Sequence, residues 1–148
     1  MFGAKVAISG DRAIVGAYGE DEGGTDSGKA YIYNVTTGTL VHTINNPNAY
    51  GTSTEDYFGA KVAISGDYAI VGVYGEDDAG GGSSGKAYIY NVSTGALVHT
   101  LDNPNPYGTS GNDKFGLAVA ISGDHAIVSA PSEDELTGYN SGKAYIYN

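Results

Sequence analysis

The chain has 148 residues, 41% of them apolar, and carries a net charge of −10. That charge argues against nucleic acid and anionic membrane surfaces as partners. With no cysteine there is no disulfide framework, zinc–thiolate site or thiol nucleophile. No apolar run is long enough to cross a bilayer, so no membrane insertion is expected.

Glycine supplies 24 residues and tyrosine 13, with no tryptophan, a balance that favours short strands and tight turns. The first predicted strand, 4–9, alternates, with Ala4, Val6 and Ile8 on one face and Lys5, Ala7 and Ser9 on the other. Gly10-Asp11 then marks a hairpin turn. The second strand, 13–17, is apolar on both faces, as a strand buried between stacked sheets should be. The third, 29–34, is rich in tyrosine and β-branched residues. The fourth, 39–44, follows the turn signal Thr37-Gly38. No stretch carries a capped 3.6-residue period.

The pattern then repeats. FGAKVAISGD at Phe2 returns at Phe58, and a third version starts at Phe115. SGKAYIYN begins at Ser27, Ser84 and Ser141, and the third copy ends directly after it. Repeats of this length with four strands each are the signature of propeller blades, which bury their faces only against neighbouring blades. A single β-sandwich is the competing fold, but near-identical units do not supply its two different inner faces. The expected fold is therefore all-β. One repeat domain, 1–148, holds blades at 2–57 and 58–114 and a three-stranded blade at 115–148.

The Phe-Gly pairs at 2–3, 58–59 and 115–116, each followed by an AISGD strand end and AIV, resemble the FG-GAP repeat family. That family includes the β-propeller of integrin α chains and many bacterial extracellular proteins. Its Gly-Ala-Pro marker appears as GAY at 16–18, GVY at 72–74 and SAP at 129–131. The resemblance implies a propeller fold and an extracellular or cell-surface setting. The aspartate-rich calcium loop of integrin-type repeats has no counterpart, because SGDR, SGDY and SGDH are too short to wrap the ion. Closed propellers need about four to eight blades, so fewer than three blades require completion. The expected partner is a second copy, giving a homodimer with a six-bladed ring, through a head-to-tail contact.

The loop between the second and third strands repeats Glu-Asp at Glu20-Asp21, Glu76-Asp77 and Glu133-Asp134. With Asp26, Asp78 and Glu135 these carboxylates are candidate oxygen ligands for calcium. The competing reading is a solvated acidic loop. Asp11, Asp67 and Asp124 read as turn residues. His42 and His99 share a fourth-strand position with no Ser or Cys placed for a triad. Tyr18, Tyr50, Tyr74 and Tyr107 are candidate aromatic platforms for a glycan or protein ligand, or packing residues between blades. Asn34 and Asn91 open N-x-(T/S) sequons that read as turn residues. Repetition duplicates every group, whereas catalysis needs one asymmetric constellation, so no enzyme is expected. The expected function is a self-assembling propeller module that presents loops for binding or scaffolding. The alternative is a calcium-dependent lectin- or adhesin-like module.

Overall fold

The computed structural model describes residues 1–47, 52–77, 81–104, 110–135 and 140–148. Strands β1 (Lys5–Ser9), β2 (Arg12–Ala17), β3 (Lys29–Asn34) and β4 (Leu40–Asn45) form one antiparallel sheet in sequential order. Strands β5 (Lys61–Ser65), β6 (Tyr68–Val73), β7 (Lys86–Asn91) and β8 (Leu97–Asp102) form a second. The third has β9 (Val119–Ser122), β10 (His125–Ala130) and β11 (Lys143–Tyr147), with β11 at its edge. Among the described residues there is no helix. The fold is thus the expected all-β set of propeller blades, in an arc that does not close.

Local chemistry sets each meander. Ser9 pairs with Arg12 across a two-residue turn, and Gly10 takes a φ of 56°, the positive value that tight hairpin loops demand. The third hairpin turns on Asn34 and Asn91, whose Oδ1 atoms accept N–H bonds from Thr37 and Thr94 at 2.9 Å each. The sequon asparagines are therefore used as turn residues.

The cores lie between sheets, not within them. Ile14, Ala30, Ile32 and Ile44 of the first blade meet Phe58, Val62, Ile64, Val71 and Tyr88 of the second. Ile70, Ala87 and Ile89 of the second meet Phe115, Ala126 and Val128 of the third. Strand β6 explains the doubly apolar pattern: Ala69, Val71 and Val73 face the first blade and Ile70 faces the third. Phe58 and Phe115 of the two inner Phe-Gly pairs plug the interfaces behind them. Phe58 packs 6.1 Å from Tyr88 and edge-on to Tyr90, and Phe115 repeats this with Tyr145 and Tyr147.

Backbone meets backbone along these interfaces. Gly28 bridges Phe58 and Gly85 bridges Phe115 in parallel pairs, with Phe58 N–H donating to Ser27 O at 3.0 Å and Phe115 N–H to Ser84 O at 2.9 Å. A Cβ on Gly16 would collide with the carbonyl of Gly59, and one on Gly72 with that of Gly116. At the hairpin end, Ser9 Oγ accepts the Gly66 N–H and Ser65 Oγ accepts the Gly123 N–H, both at 3.1 Å.

The seam is tested by two alanine substitutions that share a left-handed backbone. Gly3 (φ 76°) has open space where its Cβ would go, while at Gly59 (φ 86°) the Cβ would strike Lys29 O. Urea denaturation should show Gly59→Ala less stable than Gly3→Ala by at least about 2 kcal/mol, the scale of overpacking. Equal losses would mean the backbones do not touch.

Candidate functional site

The loops joining β2 to β3, β6 to β7 and β10 to β11 gather at the sheet ends opposite the Gly-Asp hairpins, and all three close in the same way. Gly28, Gly85 and Gly142 donate N–H bonds of 2.8–2.9 Å to the carbonyls of Glu20, Glu76 and Glu133. Asp21, Asp77 and Asp134 accept the N–H of Asp26, Ser83 and Asn140 at 2.9, 2.8 and 2.7 Å. Those three donors sit at φ of 53°, 53° and 52°. The strained corner comes five or six residues after its aspartate, and the short carboxylate pins it.

The glutamates turn inward. Glu76 is fully buried, and the Tyr88 hydroxyl lies 2.7 and 2.6 Å from its two oxygens. Glu133 is held the same way by Tyr145, and the Lys143 ammonium adds a 3.1 Å bond. Burial, and then the Glu133 carboxylate, push the Tyr145 phenol upward, so it remains a protonated donor at neutral pH. In the first blade, burial raises the Tyr31 phenol and Glu20 adds to it. In the second and third blades these carboxylates tie the loop to its own third strand. Glu135 is exposed, and Asp78 lies outside the described residues. Among the described residues, no three His, Asp or Glu side chains come together to hold a metal ion.

A second buried polar pair joins each fourth strand to the next blade. Asn46 Nδ2 donates to Asp56 Oδ2 at 2.8 Å, and Asn103 Nδ2 to Asp113 Oδ2 at 2.8 Å. Asp56 and Asp113 are 1% and 2% exposed. Burial drives Asp56 up to about 6, the Asn46 amide opposes this, and the Asp77 charge adds to it. The sequence does carry a signal for the pair, an Asn opening each NPN run and an Asp two residues before each later Phe-Gly. Sequence reading passed over it because Asn and Asp there look like ordinary loop residues.

On the same loop end three tyrosines meet. Tyr57 stacks on Tyr74 with centroids 5.3 Å apart, and Tyr18 approaches Tyr57 edge-on at 6.2 Å. All three are half-buried. Tyr57 stands between two blades and brings the predicted Tyr18 and Tyr74 into one patch. Its position is Met1 and Lys114 in the other copies, so repetition gave no reason to single it out. Tyr50 and Tyr107 lie outside the described residues. His42 and His99 sit on β4 and β8, away from this patch, at the hairpin side of the sheets.

A family model described as the FG-GAP repeat matches residues 1–33, 48–90 and 106–147, well over half the chain. No curated protein sequence matches it.

The raised Asp56 value has a definite consequence. The folded state holds the proton to about pH 6 and the unfolded chain only to its ordinary value of 3.8, so Asp56 favours folding below this window. Its contribution falls as pH rises through it. Thermal melts of Asp56→Asn and wild type should therefore converge toward pH 4, with the variant gaining relative to wild type by pH 7. A difference that does not vary with pH would contradict the assignment.

Proposed function

The chain belongs to the FG-GAP repeat family, and on that premise we propose a non-catalytic propeller module whose two open blade faces bind a second copy. FG-GAP repeats generally build a non-catalytic binding fold. One comparison carries the self-assembly reading. Positions buried at the inner interfaces are exposed at the ends of the arc: Val6 and Ile8 are 60% and 65% exposed, against 3% and 8% for Val62 and Ile64. At the other end Ile146 is 74% exposed, against 0% and 8% for Ile32 and Ile89. Burying each such side chain contributes about 1.5–3 kcal/mol, and the two faces belong to the same repeating interface. The Ser122 hydroxyl and Gly10 N–H match the groups that bond across the inner seams.

The two ends are not perfect counterparts. Ser129 stands where Gly16 and Gly72 admit the neighbouring backbone, so its Cβ keeps the next Phe-Gly pair at a distance. The contact between copies is accordingly looser than the inner seams.

A second reading rests on the Tyr18–Tyr57–Tyr74 patch. Half-exposed phenols near Asp26 and Glu55 offer stacking faces and hydroxyls to a glycan or protein ligand. On a glycan array probed with and without calcium, ligands lost in Tyr57→Ala support this reading, and a blank array overturns it.

For self-assembly the readout is mass. Light scattering at high micromolar concentration should give twice the 15.1 kDa chain mass. Ile146→Glu should return the monomer, and Ser129→Gly should tighten association about tenfold. A wild-type monomer would overturn the proposal.

A further inference from the structure

Among the described residues one pair of tyrosines stacks face to face, Tyr57 on Tyr74, with 16° between the ring planes. Nearly parallel rings 5.3 Å apart are offset, which lays the edge of one over the edge of the other. Both rings are half-buried, so an oxidant in solution reaches them. The other ring pairs either include a phenylalanine or, as in Tyr18–Tyr57, meet edge-on.

The backbone fixes this pair. Tyr57 has a φ of 59°, and its N–H donates to Asp26 O at 3.0 Å, so it projects from a segment anchored on the first blade's loop. Tyr74 directly follows β6 of the second blade. Gly75 gives the Tyr57 ring room, because a Cβ there would stand 3.0 Å from its Cδ2. The same left-handed turn recurs at Lys114, with a φ of 57°. The turn therefore belongs to the repeat and the phenol does not.

Two carboxylates attend the stack. Burial, and then the charges of Glu55 and Asp26, raise the Tyr57 phenol. Burial raises the Tyr74 phenol too, with Tyr57, Tyr18 and Asp26 adding to it. Among the described residues neither carboxylate is hydrogen-bonded or ion-paired through its side chain. A protonated phenol gives up an electron readily only when its proton has somewhere to go, and these carboxylates accept it.

We propose that Tyr57 and Tyr74 form an oxidative cross-linking site, joined as a dityrosine by a haem peroxidase working on hydrogen peroxide. Each phenol loses one electron and one proton and becomes a phenoxyl radical. The two radicals join through a carbon–carbon bond between the positions ortho to their oxygens. The proton on each joined carbon then moves to its own ring's oxygen, which restores both phenols. The chain loses two hydrogens, and the peroxide takes up two electrons and two protons to become two waters. Prior stacking makes the coupling unimolecular, which selects this pair over tyrosines that must first meet. The link closes a loop between the segment joining the blades and β6, and so staples the seam at its loop end. No ligand of the tyrosine patch takes part, so the site stands whether or not the patch binds one.

The test treats the full chain, at low micromolar concentration, with a haem peroxidase and a slight excess of hydrogen peroxide. Single-chain protein recovered from a denaturing gel should lack two hydrogens and fluoresce as dityrosine. Digestion should return residues 57 and 74 in one cross-linked peptide. Tyr57→Phe and Tyr74→Phe keep the ring stack, and each should cut the single-chain dityrosine signal by about fivefold or more. Tyr18→Phe, which removes the edge-on phenol, should leave that signal within about twofold. A link from Tyr57 to Tyr18, an undiminished signal in either stacked-ring variant, or no single-chain dityrosine overturns the proposal.

Discussion

Everything in this molecule depends on how closely one blade's backbone approaches the next. Gly16 and Gly72 leave no room for a Cβ against the carbonyls of Gly59 and Gly116, and Gly28 and Gly85 are equally closed against Phe58 and Phe115. Glycine normally weakens a strand through lost packing and greater chain entropy. Here that cost is offset by what the approach permits. Two sheets come near enough for Phe58 and Phe115 to be fully buried and for main-chain bonds to cross from blade to blade.

Because the contact is made blade by blade, each sheet has two working faces, and the inner positions differ from the outer ones only in having neighbours. Ile14, Ile70 and Ile127 are the same position, at 0%, 0% and 42% exposure. The sequence tracks this difference where Ser129 replaces the seam glycine and its Oγ accepts the N–H of Ala118 at 3.0 Å instead. The acidic loops follow the same economy of parts. In each copy the aspartate closes the loop, and in the second and third the glutamate is bonded to a third-strand tyrosine, so the recurrence of Glu-Asp has a structural cause.

Much of this was legible beforehand. The repeat pattern pointed to an all-β fold of antiparallel meanders, and the third strand, 29–34, coincides with β3. The first, second and fourth strands fall within a residue or so of β1, β2 and β4, because alternation and turn residues act locally. The double apolar face of the second strand also pointed to burial between sheets, which β6 has on both faces and β2 on one. What could not be read were contacts set by distant backbone. Gly59 and Gly28 look like any turn glycines until their blades are placed side by side. Asn46–Asp56 joins residues of two blades and resembles solvated loop chemistry in sequence. Tyr57 was hidden because its partners in the other copies are not aromatic.

The most direct test of the seam is a nuclear Overhauser measurement between α-protons of neighbouring blades in the isotopically labelled chain. Strong cross-peaks linking Gly16 to Gly59 and Gly72 to Gly116 are the expected result. Their absence, with intact cross-peaks inside each sheet, would mean that the blades form but do not meet through glycine, contradicting the account at its base.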